Sequence, residues 1–306
     1  MAKKGWIAGL SGCLLLACWA GLSRPAAAQD PQRIAAFSDA RAVSVDPAGV
    51  LYVVEGARES IVVLRPGGGD PVRLGGRGSA AGQFDGLADV DPTNGLILVA
   101  ADAGNGRLQR FSSEFLFLES MPVEATDRQD RDAGNFASYR KQQQDDARGQ
   151  GRPIAVRTSH AEETFVLDAD RGVVLKWDRE RNFERVIGGY DAGDGALLDP
   201  IALTLDQESG TLLVLDAGHG AVMSYDLLGG FAGARPLGEA ADAVSIDARG
   251  GIVWIARPDR LARLDAGASF EAAPRLVLDG PIVDLAAVPG GVYILTRRTL
   301  YRLPTP

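Results

Sequence analysis

The sequence predicts an all-β fold, a six-bladed β-propeller of four-stranded antiparallel blades, and three observations predict it. Short apolar starts recur at residues 42–46, 87–91, 153–156, 201–206, 243–247 and 282–286, forty-odd residues apart except between the second and third. That spacing is the length of one blade, a unit that cannot bury both faces of its sheet alone and must stack on copies of itself. Each start is followed by a second, nearly continuous apolar run, at 51–54, 96–99, 164–167, 212–215, 252–255 and 292–295, most often after a turn carrying Gly or Asp. Such runs suit strands covered by neighbouring sheets on both faces. The last unit ends before a fourth strand, while residues 33–37 form an orphan apolar run ahead of the first. An N-terminal strand is therefore expected to complete the last blade and remove the open edges.

Taken in chain order, residues 1–28 read as a signal peptide. Lys3 and Lys4 precede an apolar stretch, and Ala26, Ala27 and Ala28 offer a small-residue cleavage site. Leu15-Leu16-Ala17-Cys18 loosely fits a lipobox, so a lipid anchor at Cys18 is the alternative processing route. Residues 29–306 read as a single propeller domain, with no later stretch long enough to span a bilayer. Either route makes the protein exported, periplasmic or extracellular. Both cysteines, Cys13 and Cys18, lie in the signal, so stability must come from the apolar core without disulfides. The formal net charge of −8 argues against nucleic acid and anionic membrane as partners.

A polar insertion at 124–150 breaks the rhythm between the second and third blades. It carries charges of both signs and few branched apolar residues, a composition that does not build a core. The expectation is a solvated excursion, with a lid or docking arm as the alternative.

The second unit carries Asp102-Ala103-Gly104-Asn105-Gly106-Arg107-Leu108 after the link Gly82-Gln83-Phe84. This resembles the NHL-repeat family of six-bladed β-propellers. Residues 168–174 and 216–222 are weaker copies, residues 55–61 a degenerate one, and the fifth and sixth units depart from the pattern. The resemblance spans about residues 33–303. It implies that the loops leading into the first strands and the hairpins between second and third strands share one face, the default binding surface of such a ring.

On that face Glu55, Asp102, Asp168 and Asp216 occupy equivalent hairpin positions, where a carboxylate accepts hydrogen bonds from turn amides. Charged residues that break the repeat consensus are better candidates for binding. These are Arg58, Asp170, Arg171 and His219 on the rim, with Arg41, Arg152, Asp199 and Asp242 near the channel mouth. Asp85 and Asp284 are expected near the channel as well.

Candidate chemistry is sparse. Two histidines, His160 and His219, cannot build a three-histidine zinc site. No Gly-x-Ser-x-Gly elbow occurs, and the glycine-rich stretches lack the Lys-Ser/Thr ending of a phosphate loop. Aspartates suit Ca²⁺, and gluconolactonase-like and paraoxonase-like propellers use such an ion in the channel. Here their Glu and Asn are missing from residues 38–41 and 152–155. The leading expectation is thus an exported binding scaffold for a protein, peptide or glycan, with no cofactor. The alternatives are a Ca²⁺-dependent lactonase or esterase and a structural or sensor module.

Overall fold

The computed structural model describes residues 30–92, 94–124, 151–238, 241–264, 271–272 and 275–305. Residues 1–28, expected to be a signal peptide, lie outside the described residues, as does the insertion from residue 125 onward. Six four-stranded antiparallel sheets form the ring. The first blade holds β2 (Ala40–Val45), β3 (Leu51–Glu55), β4 (Ser60–Leu64) and β5 (Val72–Gly75). The second holds β6 (Leu87–Asp91), β7 (Ile97–Asp102), β8 (Arg107–Ser112) and β9 (Phe117–Pro122), and the third β10 (Pro153–Thr158), β11 (Thr164–Asp168), β12 (Val173–Trp177) and β13 (Phe183–Ile187). The fourth holds β14 (Pro200–Asp206), β15 (Thr211–Asp216), β16 (Ala221–Asp226) and β17 (Phe231–Pro236). The fifth holds β18 (Ser245–Arg249), β19 (Ile252–Arg257), β20 (Arg260–Leu264) and β21 (Glu271–Ala272). In the sixth, β22 (Ile282–Val288), β23 (Gly291–Thr296) and β24 (Thr299–Pro304) are joined by β1 (Gln32–Ala36).

The burial pattern follows from the sequence pattern. β3 and β11 are buried at every position, as their unbroken apolar runs require, whereas the outer strands β9 and β17 are mostly exposed. The core is divided among the joints between blades. One apolar cluster packs Val54 and Ile61 of the first blade on Leu87, Ala100 and Phe111 of the second. Another packs Val53 and Val62 on Leu295 and Leu300 of the sixth. The other four joints are filled the same way. Each fully buried Leu, Ile, Val or Phe contributes about 1.5–3 kcal/mol, so the joints are the main source of the ring's stability.

The last blade closes as expected. β1 pairs antiparallel with β24, from Gln32 opposite Arg302 to Ala36 opposite Thr299. Phe37 and Ala40 then donate main-chain hydrogen bonds to the carbonyls of Arg298 and Arg297, at 2.7 and 2.8 Å. Both ends of the domain are thereby held in one sheet.

The ring leaves a hole along its axis, lined by the first strand of each blade. β-Bulges interrupt the pairing of first and second strands between Ala40 and Ala42, Leu87 and Asp89, Pro153 and Ala155, Pro200 and Ala202, and Ile282 and Asp284. A bulge adds one residue that has no partner across the ladder and turns its side chain away from the regular alternation. The residues so released are Arg41, Ala88, Ile154, Ile201 and Val283, and all five line one axial cavity.

Candidate ligand site at the channel mouth

The cavity measures about 120 Å³. Its lining comes mostly from the first halves of the inner strands, which pair with the ends of the second strands, as Ala40 does with Glu55. It therefore lies at the end of the ring that carries the hairpins between second and third strands. Besides the bulged residues its wall includes Asp89, Arg157, Ser245 and Asp284.

These polar groups link one blade to the next. The Asp284 carboxylate in the sixth blade accepts the Val43 N–H of the first at 2.7 Å and the Ser245 hydroxyl of the fifth at 2.5 Å. Asp89 in the second blade accepts the Val156 N–H of the third at 2.9 Å and Arg157 Nη1 at 2.5 Å. Further along the channel, Asp91 accepts the Thr158 N–H, and Asp247 accepts the Thr204 hydroxyl and the Ala287 N–H. Paired in this way, carboxylates that would be costly to bury become inter-blade ties.

Their charges interact. Burial, and after it the charge of Asp89, pushes the Asp284 carboxyl up to about 7, against the opposing pull of its hydrogen bonds and of Arg157. Burial alone would lower the Arg157 guanidinium. Asp89, Asp91, Asp247 and Asp284 outweigh it and hold the group above its ordinary value. Among the described residues, both hydrogen bonds of this guanidinium leave from Nη1, to Asp89 and to the Val156 carbonyl.

Around the mouth, the hairpin acids hold the loops that lead into the first strands. Glu55 accepts the Ser38 N–H, Asp102 the Asp85 N–H, Asp168 the Arg152 N–H, and Asp216 the N–H groups of Leu198 and Asp199. This corrects the expectation that turn amides are their main partners. Asp168 and Asp216 also accept main-chain N–H groups of their own turns, from Asp170 and His219. Asp102 is fully buried and instead gathers Asn105, Arg107 and Gln109. For Asp216, burial raises the carboxyl, but the three main-chain donors and His219 bring it below its ordinary value. In the fifth and sixth blades the acid sits on the leading loop. There Asp242 pairs with Arg257, and Asp279 accepts the Thr296 hydroxyl at 2.7 Å.

The candidate residues fall into two sets. Arg41 lines the cavity and reaches Asp39 at 3.2 Å and Glu59 at 3.8 Å. Arg152, Asp199 and Asp242 stay on the loops outside its lining, Arg152 in an ion pair with Asp170 at 2.7 Å. Arg58, Asp170 and His219 are exposed on the rim, His219 Nδ1 lying 3.4 Å from Asp216. Arg171 departs from the expectation of an exposed rim residue. Its guanidinium folds back onto Asp168 and its side chain is only 13% exposed, because a buried carboxylate one turn away is its nearest counter-charge. Asp85 and Asp199 also remain outside the cavity lining, whereas Asp284 is in it. Asp89, Arg157 and Ser245 were not among the candidates. Asp89 and Asp284 share a signal that could have found one of them, an Asp two residues into an otherwise apolar inner strand.

Among the described residues, no group of three or more His, Cys, Asp or Glu side chains is placed to hold a metal ion. No helix among them is long and apolar enough to cross a membrane.

No family model and no curated protein sequence matches this chain. Solved structures do. A Xanthomonas campestris gluconolactonase is similar at a TM-score of 0.61 and 12% identity, covering 92% of this chain and 97% of its own. A streptogramin B lyase reaches 0.59 at 9% identity over 89% of this chain and 96% of its own. The structure of a nidogen/laminin complex reaches 0.56 at 11% identity, over 81% and 85%. Enzymes and a protein found in a complex thus share the architecture, and at such identities the likeness is one of fold alone. By its six closed sheets and by these neighbours, the chain is a six-bladed β-propeller.

Proposed function

We propose that the protein is an exported binding module whose ligand docks on the hairpin face and reaches into the axial cavity. The observation that carries this reading is the cavity itself, polar at its floor and opening among exposed side chains at the centre of that face. The cavity carboxylates are committed to main-chain amides of neighbouring blades, which suits a fixed recognition surface. The rim residues Arg58, Asp170 and His219, with Arg41 at the mouth, are the contacts proposed for a protein, peptide or glycan partner. A Ca²⁺-dependent hydrolase draws support from the gluconolactonase-like fold, but the donor set such an ion needs is not gathered among the described residues.

A thermal-shift panel of peptides, oligosaccharides and lactones tests the reading, with lactone hydrolysis followed in parallel with and without Ca²⁺. A stabilising peptide or glycan whose effect is lost on replacing Arg58, Asp170 and His219 by Ala supports the module. Lactone hydrolysis that depends on Ca²⁺ would overturn it.

A further inference from the structure

Within that binding reading, we propose that the axial cavity captures the free N-terminus of a peptide, with the ammonium against Asp284 and Asp89 and the first carbonyl oxygen accepting from Arg157. Size, charge and hydrogen bonding lead there independently. A volume of about 120 Å³ is roughly eight to twelve water positions at 10–15 Å³ each, room for one small or medium residue and no more. The remaining lining is apolar, with Ala42, Ala88 and Ala155 among it, and suits that residue's side chain.

Charge selects the end of the chain. The charged groups around Asp284 are Asp89 from β6, Arg157 from β10 and, at the mouth, Arg41 from β2. Asp91 and Asp247 add two more carboxylates around Arg157. Arg157 and Arg41, the latter paired with Asp39 and Glu59, stand against Asp89, Asp91 and Asp247, with Asp284 as a fourth carboxylate able to ionise, so an ammonium is favoured over a carboxylate terminus. Each Asp284 oxygen accepts one hydrogen bond from the protein and can accept another. Arg157 uses only Nη1 among the described residues, so Nε and Nη2 are left as donors for a carbonyl oxygen. The hairpin face then gives the rest of the peptide its exit, past Arg41 toward the rim. This is amine capture by a rigid pocket, one of the recurring modes of peptide recognition.

Binding also exchanges positive charge. Asp284 holds a proton up to about pH 7 because it is buried and, after that, because Asp89 stands beside it. An ammonium supplies the same positive charge and displaces that proton. Affinity should therefore rise with pH through neutrality until the terminal amine, with an ordinary pKa of about 7.7–8.0, begins to lose its own.

Calorimetric titration of the protein with tri-alanine amide and with its N-acetylated counterpart decides the matter. The free amine is expected to bind about 10- to 100-fold more tightly than the acetylated peptide, the worth of a hydrogen-bonded charge in an enclosed site. Titrations in two buffers of different ionisation enthalpy should show release of about one proton per peptide near pH 6 and, because the free amine is by then about half unprotonated, net uptake of roughly half a proton near pH 8. Asp284→Asn should abolish the release and lower affinity about tenfold or more. Should that variant not fold, the acetylation contrast in the unaltered protein decides alone. Equal affinity for the two peptides overturns amine capture while leaving the binding module standing. Binding of an oligosaccharide with neither peptide bound overturns it as well, and binding of none of the three sinks both readings.

Discussion

Asp284 in the last blade accepts the main-chain N–H of Val43 in the first at 2.7 Å. The ring is therefore closed twice, by β1 at its circumference and by a carboxylate at its axis. The two closures respond to different perturbations.

The axial closure responds to pH. The folded-state carboxyl of Asp284 lies at about 7, above its ordinary value of 3.8. The folded protein thus keeps a proton that the unfolded chain gives up, and this group's contribution is full below about pH 4 and is lost as pH rises through about 7. Melting temperatures of the protein and of Asp284→Asn, measured from about pH 5 to 8, should diverge, with the Asn variant gaining relative stability toward alkaline pH. Parallel curves would remove Asp284 from the pH response.

The circumferential closure responds to truncation. Deleting residues 31–37 removes β1 and uncovers β24 as an open edge. The expected outcome is a large loss of melting temperature for the whole domain, read by circular dichroism. An unchanged melt would show that the remaining sheets hold the ring without it.

Residues 124–149 should be dispensable. Gly151 donates a main-chain hydrogen bond of 2.9 Å to the Val123 carbonyl, so the chain leaves and re-joins the ring at one place. A short Gly/Ser bridge across that gap should leave a soluble propeller with a cooperative melt. Insolubility of this variant would assign the segment a place in the packing.

Hairpin acids and rim residues should separate cleanly in stability. Asp102→Ala leaves Arg107 and Gln109 without their buried acceptor and should cost about 3–5 kcal/mol in denaturant unfolding. Asp170→Ala removes one side of an exposed ion pair with Arg152 and should stay within about 0.5 kcal/mol. The reverse order would exchange the structural and surface roles given to these two acids.

The fold was legible because it rests on period. Six apolar starts and six apolar second strands recur at blade spacing, and the orphan run at 33–37 is satisfied by the strandless edge of the last unit. The mouth was half legible. Arg41 and Asp284 stood out as charges within apolar strands, and both line the cavity. Arg157 was hidden because a bulge shifts the two-residue alternation, so counting residues along its strand assigns the wrong face, whereas Asp89 carried the same signal as Asp284 and was passed over. Arg171 was misplaced for a related reason. Turn position said where its backbone lies, but only three-dimensional proximity to Asp168 says where its charge goes.

The bulges also divide the work of the inner strands. Arg41, Ala88, Ile154, Ile201 and Val283 stand outside the ladder pairing yet border the cavity, one in each of five blades. Their neighbours along each strand carry the register, so these five side chains can vary in size with little effect on it, although Ile154, Ile201 and Val283 also pack against the joints and are held to apolar substitutes there. Selectivity can thus drift one blade at a time, through substitutions at five scattered positions of a chain whose architecture stays constant.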